Sequence, residues 1–118
     1  MKAQPHGTVI TTAKILSKKR NAIAAFVRAV ARAEKLIHTD PTKTEELFKS
    51  YQPSLDAKTV QALMPVLRKE IPAVPVLTKD GYAKTLHFHQ VAGLAKNAPD
   101  YATMTDNNFA AKAISAKG

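Results

Sequence analysis

Cysteine is absent from the sequence, which excludes a disulfide framework and thiol chemistry and leaves the redox compartment unread. Tryptophan is absent too, and aromatic residues make up only 6%, so any core is aliphatic and rich in alanine. Alanine-rich helices approach closely and bury little area each, which predicts marginal stability for the chain alone. The four glycines are scattered and form no phosphate-cradling loop. No apolar run approaches the roughly 20 residues a membrane span needs, and the start, MKAQPHGTVI, lacks the long apolar stretch of a signal peptide. On that reading the chain stays where it is made, in the cytoplasm.

Acidic residues are also scarce, and unevenly so. The formal charge is +9, and residues 1–35 hold Lys2, Lys14, Lys18, Lys19, Arg20, Arg28, Arg32 and Lys35 against the single acid Glu34, a surplus of seven. Such a segment attracts nucleic acid, an anionic surface or an acidic partner, and equally keeps a protein in solution. At 118 residues the chain, 1–118, forms one segment with a modest core.

The fold class expected is mainly α, one short N-terminal strand followed by about five helices. GTVITTAKIL is β-branched from Thr8 to Thr12, which favours the strand. Ser17 is the expected N-cap of a helix in which Ile23, Phe26, Val30, Ala33 and Ile37 recur at helical spacing, with Arg28, Arg32 and Lys35 opposite. Asp40 followed by Pro41 opens the next helix, and Glu45 and Glu46 lie near its positive end. That helix should stop near Gln52, before Pro53. Asp56 caps a helix whose buried stripe is Val60, Leu63, Met64 and Leu67, and Pro65 predicts a kink or an early end. IPAVPVL, residues 71–77, is an extended connector. Thr78 caps a helix ending about Gly93, and after a turn around Pro99, Asp106 caps the last helix with Phe109 and Ile114 as its apolar contacts.

Chemistry-bearing patterns are few. His87 and His89, two apart on a helix, point to different sides, whereas helical metal ligands are spaced by three or four. No Ser/His/Asp set or carboxylate pair is evident, and the acids act as caps. Nothing indicates an enzyme, a cofactor or a metal site.

Three stretches, GTVITTAKILSKKRNAIAAFVRAVARAEKLIHTDP, DGYAKTLHFHQVAGL and YATMTDNNFA, nevertheless occur in an order and spacing that resemble the C-terminal part of periplasmic substrate-binding proteins of ABC importers, in the group for nitrate, sulfonates, taurine and thiamine-pyrimidine precursors. The first resembles the strand leaving the second lobe and the long helix after it, worded as an aromatic, a small residue and Arg-Ala, then Asp-Pro. The last resembles the family's Met-Thr-Asp-Asn closing phrase. The resemblance implies a two-lobed α/β protein that closes on a small solute and delivers it to an ABC permease in the membrane. It covers only the final part of that architecture, so this chain is expected to be a truncated product, a proteolytic fragment or an engineered piece, and not ligand-competent alone. For substrate binding only Thr11 and Thr12 qualify, as hydroxyls at the end of a lobe-crossing strand. Their plainer reading is as ordinary β-forming threonines. The alternative function is a small basic helical module binding nucleic acid or an acidic protein partner. A homo-oligomer, most simply a two-fold dimer in which the N-terminal strands pair or whole elements are exchanged between copies, is expected to cover the orphaned apolar faces.

Overall fold

The computed structural model describes residues 7–116; Lys2, counted above with the basic segment, lies outside them. Within that range the chain forms seven helices joined by irregular segments: α1 (Ala13–Lys18), α2 (Arg20–Thr39), α3 (Pro41–Tyr51), α4 (Ala57–Glu70), α5 (Lys79–Val91), α6 (Tyr101–Met104) and α7 (Asn108–Ser115). The expected N-terminal strand is not formed, and no strand occurs among the described residues. The cause is the lack of a partner: a strand exists only by pairing, and every other element nearby is a helix that satisfies its own backbone. Val9 and Ile10 remain 67% and 90% exposed.

The first helix begins earlier than Ser17 suggests. Thr12 is the N-cap, its hydroxyl accepting the Ile15 N–H at 3.2 Å. Ser17 lies inside α1 and donates to the Lys14 carbonyl instead. The chain breaks helical geometry at Lys19 and resumes as α2, a break that no glycine or proline marks. Downstream caps follow the sequence closely. Asp40 accepts from Lys43 N–H with Pro41 in the first turn, Asp56 from Thr59, and Thr78 from Gly81. Gly93 adopts φ +71°, the left-handed conformation that ends a helix. The last helix has Asn107 at its N-cap position without a side-chain cap bond, while the Asp106 carboxylate takes the Asn108 N–H from one residue further out.

Pro65 does not end its helix, and α4 runs on to Glu70. Pro65 supplies no N–H to the Gln61 carbonyl, but both residues are exposed, and a carbonyl open to solvent costs less than a buried one.

Helix α2, 20 residues and so about 30 Å long, is the axis of the molecule. α7, α3, α1 and α4 pack on it, α3 pairs with α4, and α5 pairs with the short α6. The corner between α2 and α3 is locked by buried Thr44, whose hydroxyl donates to the carbonyls of Asp40 and Leu36. Few side chains are fully enclosed: Val60, Phe109 and Ala110 are the buried hydrophobic residues among those described. Ile23, Val30 and Ile37 of the expected α2 stripe are half-buried, but Phe26 and Ala33 face out. Of the expected buried stripe on α4, Val60 is enclosed, whereas Leu63, Met64 and Leu67 are half-buried. Phe109 is enclosed while Ile114 is exposed. The radius of gyration is 16.7 Å, against roughly 13 Å for a compact domain of this length.

Candidate functional site

The closing phrase YATMTDNNFA forms a clasp. Its first four residues make α6, opened by Asp100, whose carboxylate accepts the Thr103 N–H. This places the Tyr101 ring edge-on against Tyr82 of α5, centroids 5.8 Å apart. The Tyr101 hydroxyl donates to the Leu77 carbonyl at 2.5 Å. Asn107 grips the same peptide from both ends: its Nδ2 donates to the Leu77 carbonyl at 2.9 Å and its Oδ1 accepts the Leu77 N–H at 3.3 Å. Nδ2 also donates to the Tyr101 hydroxyl. Asn107 therefore treats Leu77 as a neighbouring strand would, at the end of a connector that is not extended throughout as expected: it bends at Ile71, Ala73 and Val74, and the Val76 N–H donates to the Val74 carbonyl at 2.9 Å in a tight turn across Pro75. At the other end of the connector, His38 Nε2 of α2 meets the Ile71 carbonyl at 2.8 Å. Sequence reasoning saw the aromatic and the closing phrase but not their partner, because a backbone carbonyl 24 residues upstream leaves no mark in a side-chain pattern.

A second feature lies between α2 and α7. A groove of about 240 Å³ is lined by Arg20, Ala24 and Arg28 on α2 and by Phe109, Lys112 and Ala113 on α7. The Arg20 guanidinium sits 5.0 Å from the centre of the Phe109 ring, close enough for cation–π attraction. Arg28, Arg32 and Lys35 are all exposed, as the helical period requires.

Thr11 and Thr12 are not brought to any cleft among the described residues. Thr11 is exposed and Thr12 spends its hydroxyl on the α1 cap; the strand end that was to present them is replaced by irregular chain and a helix start. His87 is exposed and His89 half-buried, and no group of three or more candidate metal ligands occurs among the described residues. One acid is unusual. Glu34, half-buried on α2, has an enclosed Oε2 without a hydrogen-bond partner. Burial pushes its carboxyl above the usual value, and the nearby His38 draws it partly back.

Comparison with protein families, with characterised proteins and with solved structures finds no match to this chain.

Proposed function

We propose that this chain acts as the C-terminal segment of a solute-binding protein of an ABC importer, non-enzymatic, serving a small organic or oxyanion solute and working in the periplasm as part of a two-lobed whole. The observation that supports this most is the number of apolar side chains without partners. Phe26, Val66, Phe88 and Val91 on the helices and Leu94 just beyond α5 are between 52% and 75% exposed. A chain of this length ordinarily encloses more, so these faces are read as surfaces that meet the lobes. The clasp gives the Met-Thr-Asp-Asn phrase a task in that setting: it pins the end of the chain to the connector. Thr11 and Thr12 would face the cleft only with the lobes in place. Among the described residues no helix is long and apolar enough to cross a membrane, so the permease would be a separate partner.

Two measurements test the reading. Antiserum raised against the chain should detect, in the cells that make it, a species much larger than 12.8 kDa with two α/β lobes ahead of this segment; detection of a 12.8 kDa species alone overturns the proposal. Calorimetry of this chain against nitrate, sulfonates and pyrimidines should be silent, since on this reading the lobes supply most of the pocket.

The one-sided charge of α2 favours a second reading, a basic module that binds nucleic acid or an acidic protein. In that case binding to generic duplex DNA persists near physiological salt and depends on Arg28 and Arg32. Weak association that vanishes as salt rises would be the charge alone.

A further inference from the structure

We propose that the groove between α2 and α7 is a binding site for a small phosphate-type oxyanion. Three cationic side chains border one space: Arg20 and Arg28 from one wall and Lys112 from the other. The ion pairs among the described residues are Lys43–Glu46, Lys49–Glu45 and Lys84–Asp80, all away from the groove. None of the three groove cations has a carboxylate within 4.0 Å among the described residues, so their charge is available to a ligand. Arg20 and Arg28 are eight residues apart with Ala24 between them, a spacing that keeps all three on one face of the helix. The small side chains of Ala24 and Ala113 leave the room that larger residues would fill. Phe109, among the few enclosed residues, gives the far wall a fixed position, and its ring holds the Arg20 guanidinium in place. Holding the guanidinium before the ligand arrives lowers the ordering cost of binding.

The chemistry of the donors selects the ligand. Arginine presents a planar fork that matches carboxylate or phosphate oxygens in pairs, and lysine adds a point charge. Three uncompensated positive charges suit a dianion better than a monoanion. At about 240 Å³ the groove is smaller than the roughly 300–1,000 Å³ pockets that enclose drug-sized molecules. The unit seated in the groove is therefore the oxyanion itself, as free phosphate or as the phosphoryl group of a monoester. The lining residues all belong to this chain, so the proposal does not rest on the reading as a solute-binding protein.

The test is a titration of the full chain with inorganic phosphate at constant ionic strength, with chloride as the control, read by amide chemical shifts. Saturable shifts clustered at Ala24, Arg28, Phe109 and Lys112 are expected. Arg28→Gln and Lys112→Gln should each weaken binding by at least about tenfold, whereas Arg32→Gln and Lys35→Gln, which remove the same charge elsewhere on α2, should leave it unchanged. All four side chains are exposed, and Arg28→Lys retains the charge while losing the fork, so partial affinity is expected there. A phenyl phosphate arm distinguishes the sources: tighter binding than inorganic phosphate assigns the site to organic esters, and equal binding to the free ion. The proposal is overturned by shifts that do not saturate, by equal losses in the Arg28 and Arg32 variants, or by duplex DNA binding that depends as strongly on Arg32 and Lys35 as on the groove residues.

Discussion

Asn107 and Glu34 show opposite treatments of a polar group in a thin interior. Asn107 uses both ends of its amide on the Leu77 peptide and reaches Tyr101 as well. Replacing it with alanine leaves the Leu77 N–H without that acceptor, at an expected cost of about 1–2 kcal/mol. The loss should appear as a lower denaturant midpoint and faster hydrogen exchange at the Leu77 amide, while exchange in α3 and α4 stays unchanged. Glu34 lacks such satisfaction. Its folded carboxyl titrates above the ordinary value of 4.5, so the folded state binds the proton more tightly than the unfolded one. The penalty is absent below pH 4.5 and grows as pH rises through the folded value. Glu34→Gln should therefore raise the thermal midpoint at neutral pH and converge with the parent in acid. A lower midpoint at neutral pH would mean that attraction to His38 outweighs burial.

The elements of this protein are held largely by their ends. Asp56 opens α4, and its carboxyl is held below the ordinary 3.8 by the Thr59 hydroxyl and backbone N–H. Asp100 opens α6 and is lowered in the same direction by the Thr103 N–H and hydroxyl. A depressed folded value contributes stability above the ordinary value, and the contribution is lost as pH falls through the folded value. Helicity followed by far-UV circular dichroism should thus decline below pH 3.8, in a phase that Asp56→Asn with Asp100→Asn removes. Asparagine caps as well as aspartate but does not titrate, so the variant should keep its neutral-pH helicity. An unaltered acid phase would place its origin outside these two caps.

For the molecule as a whole, area and charge oppose each other. The chain leaves 9254 Å² accessible, whereas a folded monomer of 12.8 kDa exposes roughly 6,300 Å². The excess includes the apolar faces of α2, α4 and α5, and self-association would cover part of it. The strand pairing expected at the N-terminus is not available to a segment that forms no strand, which leaves the helix faces as the surfaces for a homo-oligomer. A net charge of +9 on each copy resists association, and salt screens that repulsion. Light scattering over a concentration series should show association that strengthens with added salt. A monomer at every concentration and salt level would show that repulsion and solvation of these faces prevail.

Local chemistry decided most of the helix ends by itself. Asp40-Pro41, Asp56, Thr78 and Gly93 act through atoms within a few residues, so their effect is legible without the fold, and so is the exposure of Arg28, Arg32 and Lys35 on one long helix. Three outcomes needed the tertiary arrangement. The β-branched run Thr8–Thr12 formed no strand because pairing depends on a neighbour that propensity cannot supply. The α2 stripe turned Phe26 outward because the covering helix α7 comes from the far end of the chain. The clasp on Leu77 and the groove bounded by Arg20, Arg28 and Lys112 bring together residues separated by 24 to 92 positions, and only packing in three dimensions determines which of them meet.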